Sequence, residues 1–250
     1  MNSKGGVGKT TTSVNLADAL AAQHRRVLLV DLDSQASASL SLGLAREELS
    51  PSSAHCLLHN YPVTQAARAT SVPHLDLVTG SMELASVDLA LCDVAGRELT
   101  LRNALLPIQG RYDVTLLDCP PSMSLIGVNA LVAADVILIP VTNQYLALQG
   151  VISLLESAEQ IRVRLKSRAK VLGILLTAVD GSPHTAAARR HLQRLYGNLL
   201  FESEIVAART FDEAAARGQT LSQFAPRSAA AQAFTTLAGE VIQRLRASSS

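Results

Sequence analysis

The chain has no tryptophan and only 3% aromatic residues, four Tyr and four Phe in 250 positions. Proteins that grip single-stranded nucleic acid stack bases on aromatic platforms, so this composition argues against that mode of binding. Cysteine is as scarce: Cys56, Cys92 and Cys119 are far apart and form no C-x-x-C pair. That excludes a disulfide framework, argues against a zinc or cluster site within one chain, and suits a reducing cytoplasm. The six histidines are equally dispersed, so no metal site is expected on them. No apolar run reaches the roughly 18 residues that a membrane span needs. A secretory leader is not expected either, because a glycine-rich loop occupies the first ten positions. What remains is 48% hydrophobic and 17% charged, enough apolar material for a sizeable core and far from the composition of a disordered chain.

That loop, Lys4-Gly5-Gly6-Val7-Gly8-Lys9-Thr10-Thr11, is the most informative stretch of the sequence. It departs from the ordinary phosphate-loop spacing G-x-x-x-x-G-K-[ST], because Ser3 stands where the first Gly belongs. Glycines let the backbone turn tightly and aim successive N–H groups at one point, forming a cradle for phosphate oxygens. Lys9 would reach the outer phosphates, Thr10 would hold Mg²⁺, and the positive end of the following helix would face the anion. Lys4 is an additional lysine that an ordinary loop does not need. With these residues in register, the chain resembles the ParA/MinD family of deviant Walker A P-loop ATPases. It is closest to the Soj-like ParA branch that partitions chromosomes and plasmids.

Strand-like and helix-like segments alternate, which predicts a parallel sheet covered by helices. Strands are expected at 26–31, 74–78, 113–118, 136–140 and 171–176. Helices are expected at 11–23, 82–106, 148–165, 184–196 and 229–246, and 34–60 is ambiguous. The whole of 1–250 reads as one ATPase domain. The resemblance implies an α/β P-loop NTPase fold with a mostly parallel central sheet and helices on both faces. Only Met1-Asn2-Ser3 precede Lys4, too few for the strand that usually leads into such a loop. The first strand is therefore expected to be truncated, with Met1 a misassigned start or an internal Met of a longer native chain; an intact native mass of 26.4 kDa would refute this.

Two acidic constellations follow. Asp31-Leu32-Asp33-Ser34-Gln35 ends the second predicted strand, where ligands of open α/β sheets bind. It is similar to the family's D-x-D-P-Q sequence, with Ser34 in place of Pro. The resemblance implies that Asp33 positions the attacking water and that Asp31 supports the metal and the loop. Asp118, after an apolar run and before Cys119-Pro120-Pro121-Ser122, stands where the family's second metal-binding carboxylate lies. By the same resemblance ATP and Mg²⁺ are the cofactors, held by Gly5, Gly6, Val7, Gly8, Lys9, Thr10 and Thr11. Thr177 and Asp180 would lie near the adenine, with Thr10, Asp118 and Asp31 toward the metal. Lys4 would cross a dimer interface to the partner's phosphates, so that ATP becomes part of a sandwich homodimer.

Charge is unevenly spread. Residues 1–159 carry 9 basic and 15 acidic side chains, a balance of −6, whereas 160–250 carry 13 and 6, a balance of +7. This fits an anionic partner for the C-terminal part, and equally a merely solvated basic face. In a partition ATPase the partner is non-specific double-stranded DNA, met through phosphates. Arg189, Arg190, Arg194, Arg209 and Arg227 are candidate contacts, with the basic run from Arg162 to Lys170. A ParB-like centromere-binding protein and a nucleoid-associated location in the cytoplasm follow from the resemblance alone. The alternative is a MinD-like ATPase that positions membrane or protein cargo. Its amphipathic C-terminal helix is poorly matched by Val241–Ala247, so no membrane contact is expected.

Overall fold

The computed structural model describes residues 7–248, with the side chains of 145–149 outside that description; Lys4, Gly5 and Gly6 also lie outside the described residues. The described residues hold seven strands: β1 (Val27–Asp31), β2 (Arg68–Ala69), β3 (Leu75–Val78), β4 (Val114–Asp118), β5 (Val136–Thr142), β6 (Lys170–Val179) and β7 (Leu200–Val206). Among the described residues they form two ladders, ordered β2-β3-β1-β4 and β5-β6-β7. Every pairing is parallel except the short β2–β3 hairpin edge. The expected parallel architecture is present, divided between β4 and β5.

Helix α1 (Lys9–Ala21) leads out of the loop into the core. It begins at Gly8, whose φ of 79° is left-handed backbone that glycine adopts without strain, and whose carbonyl accepts from Thr12 N at 2.8 Å. Val14, Ala17 and Leu20 recur on its buried side, as sequence spacing predicts. β1 is buried along its entire length, consistent with a strand covered on both faces. Its inner face packs with Val14, Leu16 and Leu20 of α1 and with Phe234 and Leu237 of the C-terminal helix.

The remaining helices used below are α2 (Ser37–Ser41), α3 (Ser53–Leu58), α4 (Thr100–Leu105), α5 (Leu125–Ala133), α6 (Tyr145–Leu165), α7 (Pro183–Tyr196), α8 (Thr210–Ala216), α9 (Leu221–Phe224) and α10 (Ala229–Ser248). The opposite face of β1 is covered by Ala54 and Leu57 of α3, Leu101 of α4, and Ile126 and Ala130 of α5. A third cluster seats β5 and β6 against Val151 and Leu154 of α6 and Leu192 of α7.

The helix expected over 82–106 is broken into short pieces, with a 3-10 turn at Met82–Ser86 and regular helix over Val87–Ala90 and Thr100–Leu105. Gly96 is left-handed at φ 73°, which ends the periodic stretch. Asn129 of α5 then caps the restart: its Oδ1 accepts from Leu101 N at 3.0 Å, and its Nδ2 donates to Arg97 O at 2.9 Å. Tertiary capping overrides the local apolar pattern there. β7 and α5 are elements that the sequence pattern did not single out.

Two contacts tie the C-terminal part to the front of the molecule. Asn15 of α1 donates from Nδ2 to Thr11 O at 2.8 Å, and its Oδ1 accepts from Leu221 N of α9 at 2.8 Å. Gly43, after α2, meets Gly218, after α8, so closely that a Cβ on Gly218 would stand 2.3 Å from the Gly43 Cα.

Candidate active site at the carboxyl ends of the strands

The site is organised by one register. Asp31 is the Cα partner of Asp118, so two carboxylates emerge side by side where β1 and β4 end. Neighbouring strands run about 4.8 Å apart, and parallel partners project to the same face. The first turn of α1 stands over this pair, carrying Lys9, Thr10 and Thr11, all half-buried.

Asp118 is 1% exposed. Its Oδ1 accepts from Ser13 Oγ at 2.9 Å, whereas its Oδ2 is buried and meets no hydrogen-bond partner among the described residues. Burial first, then the charge of Asp31, pushes its pKa up to about 7, against the opposing pull of the Thr10 and Ser13 hydroxyls. Lys9 is shifted the other way. Burial lowers its pKa, while Asp118, Asp33 and Cys119 favour its charged form.

Asp31 is fully buried and its two oxygens are engaged. Oδ2 accepts from the backbone N and the Oγ of Ser39, at 2.9 and 2.7 Å, and Oδ1 accepts from Asp33 N at 3.1 Å. Burial raises its pKa, with the Ser39 and Asp33 hydrogen bonds opposing. Gly80 N in turn donates to Ser39 Oγ at 3.0 Å. Asp31 thus braces the turn that carries Asp33. Asp33 itself is only half-buried, and its Oδ1 accepts from Gln35 N at 3.0 Å.

Thr177 and Asp180 occupy supporting positions. The Thr177 hydroxyl lies 3.0 Å from Val7 O and 3.2 Å from Val141 O, a single proton shared between loop and strand. It underpins the loop from β6, close to Gly8. Asp180 closes the end of β6 against α7: its Oδ1 accepts from Thr185 Oγ1 at 2.6 Å and from Ser182 N at 3.0 Å. Those bonds hold its pKa down at about 2, the Thr185 hydroxyl contributing most.

Sequence reasoning missed Ser13, Ser39 and Gly80. Ser13 lies one turn beyond Lys9 on α1, a helical spacing that could have marked it. Ser39 and Gly80 meet Asp31 only through tertiary folding and leave no local signal. The candidate anion contacts Arg189, Arg190, Arg194, Arg209 and Arg227 are all exposed. Arg189 is paired with Glu204 of β7 at 3.1 Å.

The family model described as an AAA domain matches residues 1–171. The chromosome partitioning protein ParA of Caulobacter vibrioides is 36% identical over 248 residues, covering 98% of this chain and 93% of that protein. The chain belongs to the ParA/MinD family of P-loop ATPases. The sporulation initiation inhibitor protein Soj of Bacillus subtilis is 34% identical over 241 residues, 96% of this chain and 95% of Soj. A cobyrinic acid a,c-diamide synthase of Mycobacterium smegmatis, solved with bound ADP and magnesium, superposes with a TM-score of 0.86 at 30% identity, covering 98% of this chain and 93% of that one. MinD of Pyrococcus horikoshii, complexed with Mg-ADP, shares the fold, with a TM-score of 0.79 over 96% of this chain and 93% of its own at 24% identity. No helix among the described residues is long and apolar enough to cross a membrane.

Proposed function

We propose that this member of the family is a ParA-type ATPase that partitions a chromosome or plasmid. ATP binding closes a homodimer that holds double-stranded DNA non-specifically, and hydrolysis, stimulated by a ParB-like protein, releases it. The observation that carries the catalytic part is Asp118: a buried carboxylate with one oxygen satisfied by Ser13 and the other unsatisfied, beside the first turn of α1. An orphaned buried oxygen is costly, and a cation is the partner it lacks.

Mg²⁺ fits that donor set of carboxylate and hydroxyl, and when bound it would neutralise charge that develops in phosphoryl transfer. Thr10 and Asp118 would hold it. Lys9, whose charged form burial disfavours and three neighbouring groups favour, would bind the outer phosphates of ATP. The backbone of Gly5 to Gly8 would wrap those phosphates, and Lys4 would reach the partner subunit's nucleotide. Asp33, half-buried at the strand end, would orient the attacking water, held in place by the Asp31–Ser39 brace. The partition reading is favoured by full-length similarity to ParA and Soj. Exposed Arg190, Arg194, Arg209 and Arg227 supply charge for DNA phosphates.

Binding to non-specific duplex DNA with ATP, with ADP and without nucleotide tests the proposal, using the parent chain and Asp33→Ala. DNA binding is expected only with ATP, and it should persist in Asp33→Ala while hydrolysis falls at least roughly 100-fold. Normal ATP binding without DNA binding in any state would refute the partition reading and favour the MinD-like alternative.

A further inference from the structure

Behind the Asp31 turn stands a second polar cluster, at the start of α3. Ser52 and Ser53 are fully buried there, although serine is mostly a surface residue. Ser53 Oγ donates to Asp31 O at 2.6 Å, and Ser53 N donates to Thr79 O at 2.8 Å. One residue therefore holds the main chain at the end of β1, which leads to Asp33, and the main chain just before Gly80. Ser52 Oγ lies 2.9 Å from Ser81 Oγ, on the other side of that glycine.

His55 fixes the start of α3. It occupies the third helical position, where a capping box usually carries Glu or Gln. Its Nδ1 accepts from Ser52 N at 3.2 Å and lies 3.0 Å from Ser52 Oγ, while Nε2 lies 3.5 Å from Ser50 Oγ. An imidazole whose Nδ1 accepts carries its proton on Nε2, so this cap requires the neutral ring. Glu83 Oε2 stands 3.4 Å from the same Nδ1. A carboxylate gains from a proton on that nitrogen, whereas the Ser52 N–H loses its acceptor. The two partners thus favour opposite protonation states of one ring atom. The other titratable or charged groups on this side are His59, ring to ring at 5.9 Å, and Arg68 of β2, which donates to Pro51 O at 2.9 Å. Asp88 and Arg102, on the helices Val87–Ala90 and α4 that pack against α3, form no ion pair with His55 among the described residues.

We propose that His55 is a positioning residue for ATP hydrolysis. With its ring neutral it holds the Asp33 turn through Ser52 and Ser53; with the ring protonated toward Glu83 that hold relaxes. The links run from His55 Nδ1 to Ser52, from Ser53 Oγ to Asp31 O, and from Asp31 Oδ1 to Asp33 N. None of them passes through the phosphate loop, so turnover, and not nucleotide affinity, is the quantity they set. The inference rests on the reading of Asp33 as the residue that orients the attacking water.

Steady-state ATP turnover of the parent chain, His55→Ala, His55→Gln and Asp33→Ala, each at pH 8 and pH 5.5, tests it. Gln at this position can accept from Ser52 N and does not titrate. At pH 8, His55→Ala is expected to lower kcat about 5-fold, a lost cap carried into the barrier, with KM unchanged. His55→Gln should restore at least about half of the parent rate, as the capping residue usual at that position. Between pH 8 and pH 5.5 the parent should lose at least about 3-fold more turnover than His55→Gln, because every other titrating group is common to both. Without nucleotide, amide exchange at Ser53 and Gly80 should quicken in His55→Ala and not in His55→Gln. Lost turnover in Asp33→Ala together with the parent rate in His55→Ala would overturn this proposal alone. Equal pH ratios for the parent and His55→Gln, or a Gln variant as slow as the Ala variant, would overturn it too. The parent rate in Asp33→Ala would overturn the Asp33 reading, and this proposal with it.

Discussion

Gly80→Ala isolates the brace behind Asp33, the carboxylate proposed to orient the attacking water. A Cβ at Gly80 would stand 2.7 Å from Asp33 O, 2.8 Å from Asp31 Oδ1 and 2.9 Å from Asp31 Cγ. None of these atoms is the end of a flexible chain: one is backbone, and the others belong to a fully buried side chain fixed at both oxygens. Forcing a methyl group into such a space costs about 1–3 kcal/mol through displaced neighbours. Moving Asp31 also strains its bonds to Ser39 and Asp33, each worth roughly 1 kcal/mol. A destabilisation of about 2–4 kcal/mol follows, or roughly 5–15 °C in thermal midpoint for a domain of this length. Because Asp33 N is held by Asp31, hydrolysis should fall more than nucleotide binding. Gly239→Ala is the control: nothing lies within 4 Å of its Cβ position, and it sits inside α10. Alanine there should stabilise by about 1 kcal/mol through helix propensity. Differential scanning calorimetry and steady-state ATPase rates decide the matter. A Gly80→Ala protein within roughly 2 °C of the parent, with unchanged turnover, would refute the argument that the packing around Asp31 sets the Asp33 turn.

The raised pKa of Asp118 makes a pH prediction. The folded chain keeps a proton on this carboxyl that the unfolded chain releases, so ligand-free stability should decline as pH rises from about 4 to about 7. Denaturant midpoints across that window should slope downward, and Asp118→Asn should flatten the slope; an unchanged slope would exclude Asp118 as its source. Thr177→Val removes the hydroxyl shared by Val7 O and Val141 O in a buried setting, which should cost about 1–2 kcal/mol in urea unfolding. It should also weaken nucleotide binding, and a protein as stable and as tight-binding as the parent would show that the loop is held by other means. Arg244 stacks on Phe201 at 4.1 Å and donates to the carbonyls of Leu172, Asn198 and Leu200. Arg244→Ala should therefore lose about 2–4 kcal/mol, and a loss below roughly 0.5 kcal/mol would show that this linkage is not a stabilising one.

The family was legible because the motif that marks it is local: glycines, lysines and hydroxyls within eight consecutive positions. The strand ending in Asp31 was legible for a related reason, since a buried parallel strand reads as an unbroken apolar run, and the one ending in Asp118 was legible from Val114, Leu116 and Leu117. The brace was not. Ser39 reaches Asp31 across eight positions, and Gly80 reaches Ser39 across 41, so only the folded chain brings them together. Thr177 and Asp180 were placed near a ligand by resemblance, yet their hydroxyl and carboxylate are engaged in holding the loop and α7. The interval 82–106 misled because apolar residues at helical spacing do not reveal Gly96 or the cap supplied by Asn129. β7 was discernible in principle, since Phe201, Ser203 and Ile205 alternate inward, but its two glutamates masked the pattern.

Asn15 has a mechanical meaning. One amide group clasps the first turn of α1 with its nitrogen and the start of α9 with its oxygen, and α9 lies between Arg209 and Arg227 in the chain. A rigid clasp of this kind acts as a crank. Any turn of α1 about its axis would find no soft side chain at the far end to absorb it. It must either carry the segment between the two arginines with it or break a buried bond. The close contact of Gly43 with Gly218 leaves that segment little slack on its other side. The segment between the two arginines is thereby tied to the helix that leaves the loop by Asn15, by Asp18 through Thr220 and Ser222, and by the packing of Leu221, without passing through the sheet.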